Sequence, residues 1–161
     1  MKLVDKKGVL LINLGTPKSP TTEDVRVYLK EFLSDRDVIR MPRFFWLPLL
    51  NFVILRSRPA KSAELYKKVW TEWGSPLLYN TYLQAGLLKK KFECDENEEF
   101  FVDVAMRYGS PSIESKLLQL VKSGYRKIII LPMFPQYSTT TTRSIARKID
   151  EIILKNKLLD K

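Results

Sequence analysis

Three short apolar runs alternate along the chain with stretches whose apolar residues recur every three or four positions. The runs are Gly8–Asn13, Phe100–Met106 and Lys127–Leu131. Continuous apolar runs of this length predict strands buried on both faces, whereas the longer period predicts helices with one buried side. The alternation therefore predicts an α/β fold, a Rossmann-like parallel sheet flanked by helices.

The helices are predicted from apolar spacing and from residue types that begin or end helices. The first starts with Thr21 or Thr22 as its N-cap, and another opens with Ser110 as N-cap and Pro111 as first residue. Further helices are predicted over Lys61–Trp73, Asn80–Phe92 and Ser144–Lys157. In Lys61–Trp73, the apolar residues at four-residue steps are Leu65, Val69 and Trp73.

The loops that follow the three strands are the predicted ligand site. They are Leu14–Pro17, Arg107–Pro111 and Pro132–Thr142, and all contain Gly, Pro, Ser or Thr. Ligands of open parallel sheets bind beyond the carboxyl ends of the strands, where such loops converge. The fingerprints GxGxxG and GxxxxGK[ST] do not occur, which argues against a nucleotide.

Two of these loops allow more than one interpretation. Arg107 and Tyr108 could face a carboxylate ligand, or the arginine could pair with a neighbouring acid while the tyrosine is partly core. The run Thr139–Thr142 could cap the helix that follows, or its hydroxyls could form a floor under a bound ligand.

The segment Met41–Leu55 is rich in aromatic residues and holds a single charge, Arg43. It is too short, and too interrupted by Pro42 and Pro48, to span a bilayer. Three interpretations remain: an ordinary buried helix, a helix over the mouth of an active site, or a lip that touches a membrane surface.

Net charge and the counts of histidine and cysteine limit the partners and the kinds of catalytic or metal site that the chain can have. The net charge is +10, which favours anionic partners: nucleic acid, anionic lipid, or a small molecule with carboxylates or phosphates. The chain has no histidine, so no Ser–His or Cys–His pair and no histidine metal site can form within it. The single Cys94 excludes an internal disulfide framework. No signal peptide is recognised, and the cytoplasm is the expected compartment.

Five segments resemble the ferrochelatase family, most closely its bacterial type. They are Leu10–Pro17, Tyr28–Ile39, Gly74–Thr81, Arg107–Ser115 and Leu131–Thr142, in the order and spacing of the family. The resemblance implies two similar Rossmann-like halves with a porphyrin between them. It further implies that residues 1–161 are the N-terminal chelatase domain, and that the histidine and glutamate of the chemistry lie in a C-terminal half.

The resemblance also implies substrate contacts. Leu14 would face the porphyrin, and it favours protoporphyrin because members acting on coproporphyrin have tyrosine there. Met41–Leu55 would form the hydrophobic lip of the pocket. Phe134 takes a place often held by tyrosine. The substrate-binding residues implied are Leu14, Arg58, Tyr66, Ser75, Arg107, Tyr108, Phe134, Tyr137 and Ser138, with no catalytic residue and no metal ligand among the 161.

Two positions depart from the family pattern. Arg143 stands where a glycine usually follows the Ser/Thr run, and it would either disturb the loop or reach a propionate. Thr139 stands where some members have a cysteine that binds an iron–sulfur cluster, so no cluster and no other cofactor is expected. Ferrous iron is a substrate of the implied reaction.

The leading hypothesis is a ferrochelatase segment. The parent enzyme, a lyase of haem biosynthesis, inserts Fe(II) into protoporphyrin IX. This chain would supply cleft residues and be inactive alone. The alternative is a non-catalytic porphyrin-binding module. Nucleic-acid binding rests on charge alone and lacks a motif. A cytoplasmic location is expected, with peripheral membrane contact through Met41–Leu55 as an addition.

Overall fold

The structure is a computed structural model that describes residues 6–93 and 99–158. Cys94 lies outside the described residues. Three parallel strands form the described sheet: β1 (Lys6–Thr16), β2 (Glu99–Gly109) and β3 (Lys127–Pro132), in the order β2-β1-β3. Val9 of β1 is level with Val102 on one side and Ile129 on the other. The predicted parallel sheet is confirmed.

Among the described residues, six α-helices connect or follow the strands. Two wide, π-type turns precede the third and the sixth of them, at Leu50–Ile54 and Thr139–Arg143. The helices are α1 (Thr22–Leu33), α2 (Arg43–Leu49), α3 (Leu55–Val69), α4 (Pro76–Phe92), α5 (Ile113–Lys122) and α6 (Ser144–Asn156).

Both faces of the sheet are covered, because β1 is apolar on both sides. Leu10 and Ile12 point to a core that includes residues of α5 and α6, while Val9 and Leu11 pack in a core with Ala85 of α4. A third cluster lies at the carboxyl end of the sheet and joins α1, α2 and α3. Its buried members are Val25, Tyr28, Leu29, Leu33, Trp46, Leu50, Leu55, Ala63 and Tyr108.

The start predicted for α5 is wrong. The helix begins at Ile113, and Ser112 is its N-cap, accepting from the N–H of Ser115. The Pro111 carbonyl instead accepts from the Met106 N–H of β2 at 2.7 Å. The residues before Ser112 thus continue the contact with β2, which local sequence does not reveal.

The helix predicted over Lys61–Trp73 exists, but its bounds and its buried face differ. It begins at Leu55, and it ends at Val69 because Thr71 and Gly74 then exchange two backbone hydrogen bonds in a turn. The predicted apolar positions Leu65, Val69 and Trp73 are exposed. The buried positions of the helix have the same four-residue spacing but lie on another face: Leu55, Pro59 and Ala63. The helix predicted from Asn80 likewise begins earlier, at Pro76.

Among the glycines of the described residues, Gly15 leaves the least room for a side chain. Its φ is +115°, and a Cβ there would lie 1.9 Å from the Tyr108 carbonyl oxygen. We expect Gly15→Ala to lower the free energy of unfolding by about 3 kcal/mol or more, because backbone atoms of β2 would have to move. Chemical denaturation followed by circular dichroism measures the change.

Gly86→Ala is the matched control. Gly86 lies within α4, and a Cβ there meets nothing within 4 Å. Alanine is the better helix former, so this variant should gain about 0.5–1 kcal/mol. Equal stability of the two variants would contradict the close approach at Gly15.

Candidate functional site

A pocket of about 350 Å³ opens at the carboxyl end of β1. It brings together three of the nine predicted substrate residues: Leu14, Tyr66 and Ser75. These come from β1, α3 and the residue before α4, so the pocket forms where three elements meet. The other residues that line it are Gly15, Thr16, Tyr28, Val69, Trp70, Pro76 and Leu77.

The pocket faces the N-terminus of the longest described helix. Ser75 is the N-cap of α4 and is buried, yet its side chain makes no capping hydrogen bond. Pro76 follows as the first helical residue and has no N–H. The N–H groups of the next residues in this first turn have no carbonyl within the helix to bind. This end of α4 therefore carries a partial positive charge beside the pocket.

Two tyrosines form one wall of the pocket. Tyr28 and Tyr66 meet edge to face with ring centroids 6.3 Å apart, and the Tyr28 hydroxyl donates to the Gly15 carbonyl at 3.3 Å. Burial raises the pKa of both phenols above the ordinary value, for Tyr28 with a further contribution from Tyr66. Both phenols are therefore neutral hydrogen-bonding groups at physiological pH.

A second polar cluster surrounds the carboxylate of Asp35, whose side chain is only 1% exposed. Arg107, Tyr108 and Ser144 donate to its Oδ2 at 2.5, 2.7 and 2.5 Å. Its Oδ1 accepts from Arg147 and, at 2.8 Å, from the backbone N–H two residues along the chain. The carboxylate thus links the end of α1 to the end of β2 and the start of α6.

The hydrogen bonds of this cluster lower the pKa of Asp35 by more than burial raises it. Burial by itself raises the pKa of the Asp35 carboxyl, but hydrogen bonds from Ser144, the Asp37 N–H and Tyr108, and the charge of Arg107, lower the pKa to about 2. Asp35 is therefore ionised throughout the physiological range.

The structure supports the ion-pair interpretation of Arg107. Its side chain is 8% exposed, donates to Asp35 and Ser144, and lies with its guanidinium carbon 4.4 Å from the centroid of the Tyr108 ring. Tyr108 is fully buried in the core cluster. Neither residue lines the pocket with Leu14; any contact of this pair with a porphyrin remains a prediction.

The four remaining predicted residues lie apart from the pocket. Arg58 is exposed on α3, and Phe134 packs against the core on the α5 and α6 side. Tyr137 is 69% exposed. The Ser138 hydroxyl hydrogen bonds with that of Thr141 at 2.5 Å.

The threonine run is helical, whereas a loop was predicted. Thr139–Arg143 forms a π-type turn that runs directly into α6, and no side chain caps the turn or the helix, so the capping interpretation is wrong. The side chain of Thr139 accepts from Arg40 at 2.9 Å instead. Arg143 has right-handed helical backbone angles, and its Nε lies 3.7 Å from Asp37.

We use the name lip for residues 41–55, which include α2 and the first π-type turn. Trp46 is buried and donates to the Leu33 carbonyl at 2.7 Å, and Leu50 and Leu55 are also buried. The opposite face is apolar and exposed, which contradicts an ordinary buried helix. Its exposed residues are Met41, Phe44, Phe45, Leu49, Phe52 and Val53.

None of the helices within residues 6–93 and 99–158 has the length and hydropathy of a membrane-spanning segment. Within the same residues, no group of three or more histidine, cysteine, aspartate or glutamate side chains is placed to hold a metal ion.

Sequence reasoning did not single out Asp35, Ser144, Thr16 or Tyr28. Asp35 offered a signal, since it is an acid two positions after the apolar Leu33 at the end of the first predicted helix, inside one of the five matching segments. Thr16 offered none beyond its place in a loop that was itself predicted to bind a ligand.

Comparisons with known proteins agree on one family. The family model described as Ferrochelatase matches residues 6–160. The chain is 51% identical over 141 residues to the ferrochelatase of Actinobacillus pleuropneumoniae serotype 3, covering 88% of this chain and 44% of the relative. It is 48% identical over 154 residues to the coproporphyrin III ferrochelatase of Lactococcus lactis subsp. lactis, covering 96% and 48%. The chain therefore spans less than half the length of these relatives.

We expect Asp35→Asn to lower the free energy of unfolding by about 3–5 kcal/mol, because Arg107 and Arg147 would keep their charges near a neutral partner. Denaturant unfolding measures this. Glu114→Gln is the control: it removes one ion pair, to Lys155, whose side chain is 70% exposed, and its effect should be much smaller.

Comparison of the wild type with Asp35→Asn at different pH values tests the ionisation of Asp35. Since the pKa of its carboxyl is lower in the folded chain, the stability it contributes is complete above the unfolded value of 3.8 and is lost as pH falls towards about 2. The stability difference between the wild type and Asp35→Asn should therefore narrow between about pH 5 and pH 2. A constant difference across that range would show that Asp35 is not the titrating group.

Proposed function

The chain belongs to the ferrochelatase family, and from that membership we propose that it supplies the porphyrin-binding side of a ferrochelatase cleft. The family reaction would insert Fe(II) into protoporphyrin IX as two pyrrole protons leave. The observation that carries the proposal is the meeting of Leu14, Tyr66 and Ser75 in one pocket at the carboxyl end of β1. These residues come from two of the segments that carry the family resemblance and from α3 between them.

The chemistry of the pocket suits the rim of a porphyrin. Leu14, Val69, Trp70 and Leu77 offer apolar walls to the macrocycle, and the hydroxyl of Ser75 and the start of α4 offer donors to an acidic substituent. Relatives named for ferrochelatase and for coproporphyrin III ferrochelatase match the chain almost equally well. We favour protoporphyrin IX because the apolar Leu14 suits its less acidic rim.

We also propose that the chain depends on a further polypeptide segment for its chemistry. Removing pyrrole protons requires a base near the ring nitrogens. The 161 residues contain no histidine, and the two phenols of the pocket are held neutral by burial. In the family, a histidine and a glutamate of the C-terminal half are expected to fill this role.

Porphyrin titration of the purified chain tests the proposal. Addition of protoporphyrin IX should shift the Soret band and quench tryptophan fluorescence, since Trp70 lines the pocket, and coproporphyrin III should bind more weakly. Leu14→Ala should weaken binding about tenfold by removing apolar contact. Leu154→Ala, at an exposed apolar position on α6, is the control.

Two results would contradict the proposal. Absence of both the Soret shift and the quenching would remove the porphyrin site. Zinc- or iron-porphyrin formation by the chain alone would contradict the proposed dependence on a further segment.

A non-catalytic porphyrin-binding module is the second candidate function. It would also bind porphyrin without any chelatase activity, and the absence of histidine is the observation that favours it.

The lip is proposed as a peripheral membrane contact. Its apolar face is exposed, with Phe44 at 70%, and arginines flank it on both sides, a combination that favours anionic lipid surfaces. The flanking arginines are Arg36, Arg40, Arg56 and Arg58.

Vesicle co-sedimentation tests this contact. The chain should sediment with vesicles of phosphatidylglycerol and phosphatidylcholine, and the double variant Phe44→Ser with Phe45→Ser should lower the partition coefficient roughly tenfold. Leu154→Ser, which removes an equally exposed apolar side chain elsewhere, should leave it unchanged. Equal sedimentation of the double variant and the wild type would show that the lip does not contact lipid.

A further inference from the structure

The hydroxyl of Thr16 is buried without a partner. Thr16 ends β1, lines the pocket beside Leu14, and is 5% exposed. Its Oγ1 makes no hydrogen bond with any residue that the structure describes. A buried hydroxyl in this state destabilises the fold, because it has lost its hydrogen bonds to water and gained none in return.

Three other buried hydroxyls among the described residues are satisfied. Thr81 donates to the Leu77 carbonyl at 2.7 Å, and the hydroxyls of Tyr108 and Ser144 both donate to Asp35. Within residues 6–93 and 99–158, two further buried polar side-chain atoms lack a hydrogen bond, Asp37 Oδ2 and Arg147 Nε, and these lie 3.3 Å apart as an ion pair. Thr16 Oγ1 is therefore the one hydroxyl among the fully buried polar atoms of the described residues that lacks a hydrogen bond.

The surroundings of Thr16 indicate what partner its hydroxyl could take from outside the fold. The pocket contains no charged side chain, and the uncapped start of α4, with Ser75, lies in its lining. Hydroxyl donors and the positive end of a helix together favour an anionic acceptor. A carboxylate at the rim of a porphyrin has this chemistry, and its oxygen can accept from a hydroxyl.

We propose that Thr16 is a substrate-binding residue whose hydroxyl donates a hydrogen bond to a carboxylate oxygen of the porphyrin. This inference rests on the proposed function, since it takes the pocket as a porphyrin site. It adds a contact from the end of β1 to those that Ser75 and the start of α4 offer to the same substituent. The substrate carboxylate would then be held from two elements, which fixes the orientation of the macrocycle in the pocket.

Thr16→Val tests the inference, because valine keeps the shape of threonine and lacks the hydroxyl. The 161-residue chain is titrated with mesoporphyrin IX and with its dimethyl ester in the same detergent buffer, and its melting temperature is measured without ligand. We expect the variant to bind the diacid about tenfold more weakly than the wild type, and the diester with a smaller change. The melting temperature should be unchanged or higher, because an unsatisfied hydroxyl has been removed.

Two further variants separate hydroxyl chemistry from folding. Thr16→Ser retains the donor and should restore most of the affinity for the diacid. Thr81→Val is the matched control at a threonine whose hydroxyl is already bonded. It should lower the melting temperature while leaving the affinity for mesoporphyrin unchanged.

The outcomes distinguish the role of Thr16 from the existence of the porphyrin site. If the wild type binds mesoporphyrin and Thr16→Val binds it equally well, the role of Thr16 is overturned while the porphyrin site stands. An equal loss for diacid and diester overturns the assignment to a carboxylate. A clear fall in melting temperature shows that the hydroxyl has a partner in the fold, which also overturns it. If the wild type binds no porphyrin, both the site and the inference fall.

Discussion

The carboxylate of Asp35 is the point on which the carboxyl end of the sheet depends. One buried acid accepts from the end of β2, from the first turn of α6 and from the loop after α1. Burying a charge is costly unless hydrogen bonds and opposite charges replace its water. Here both oxygens are bonded, and Arg107 and Arg147 are balanced by Asp35 together with Asp37. Moving the loop after α1, the end of β2 or the start of α6 would therefore leave the buried carboxylate without one of its hydrogen bonds, at a cost in free energy.

This constraint reaches the pocket through a row of aromatic rings. Tyr108, which donates to Asp35, meets Phe32 edge to face at 5.2 Å, and Phe32 stacks on Tyr28 at 6.1 Å. Tyr28 contacts Tyr66, which contacts Trp70, both at 6.3 Å. Each ring restricts the position of the next, because close-packed side chains cannot move without displacing their neighbours. The pocket wall formed by α3 is thus fixed, ring by ring, from the polar cluster at the end of β2.

The sequence predicted what depends on local pattern. The three strands follow from their apolar runs. Of the three loops predicted to converge on a ligand site, the one predicted after the first strand lines the pocket through Leu14, and no residue of the other two loops lines it. On α3 the period was right and the face was wrong, because Leu55, Pro59 and Ala63 make a second stripe at the same spacing as Leu65 and Val69. Only tertiary packing selects one stripe.

The remaining errors have long-range causes. Ser110 and Ser112 are equally good N-caps by composition, and the choice is made by Met106, which binds the Pro111 carbonyl. Arg107 could have pointed outwards to a ligand, and Asp35, 72 positions away in sequence, decides that it does not. No residue near Arg107 in the chain carries that information. The pairing becomes visible only when α1, β2 and α6 are packed.

Under the proposed function, the pocket would carry out only the binding part of a chelatase reaction. Its lining residues offer apolar walls, hydroxyl donors and the start of a helix, which we propose hold a macrocycle and its acidic substituents. A proton acceptor needs a pKa near the working pH, whereas burial moves the pKa of Tyr28 and Tyr66 further from it. The burial that would favour binding of an apolar ring thus also keeps these phenols from acting as bases. If the pocket holds a porphyrin, the group that removes the pyrrole protons must therefore come from outside this set of residues.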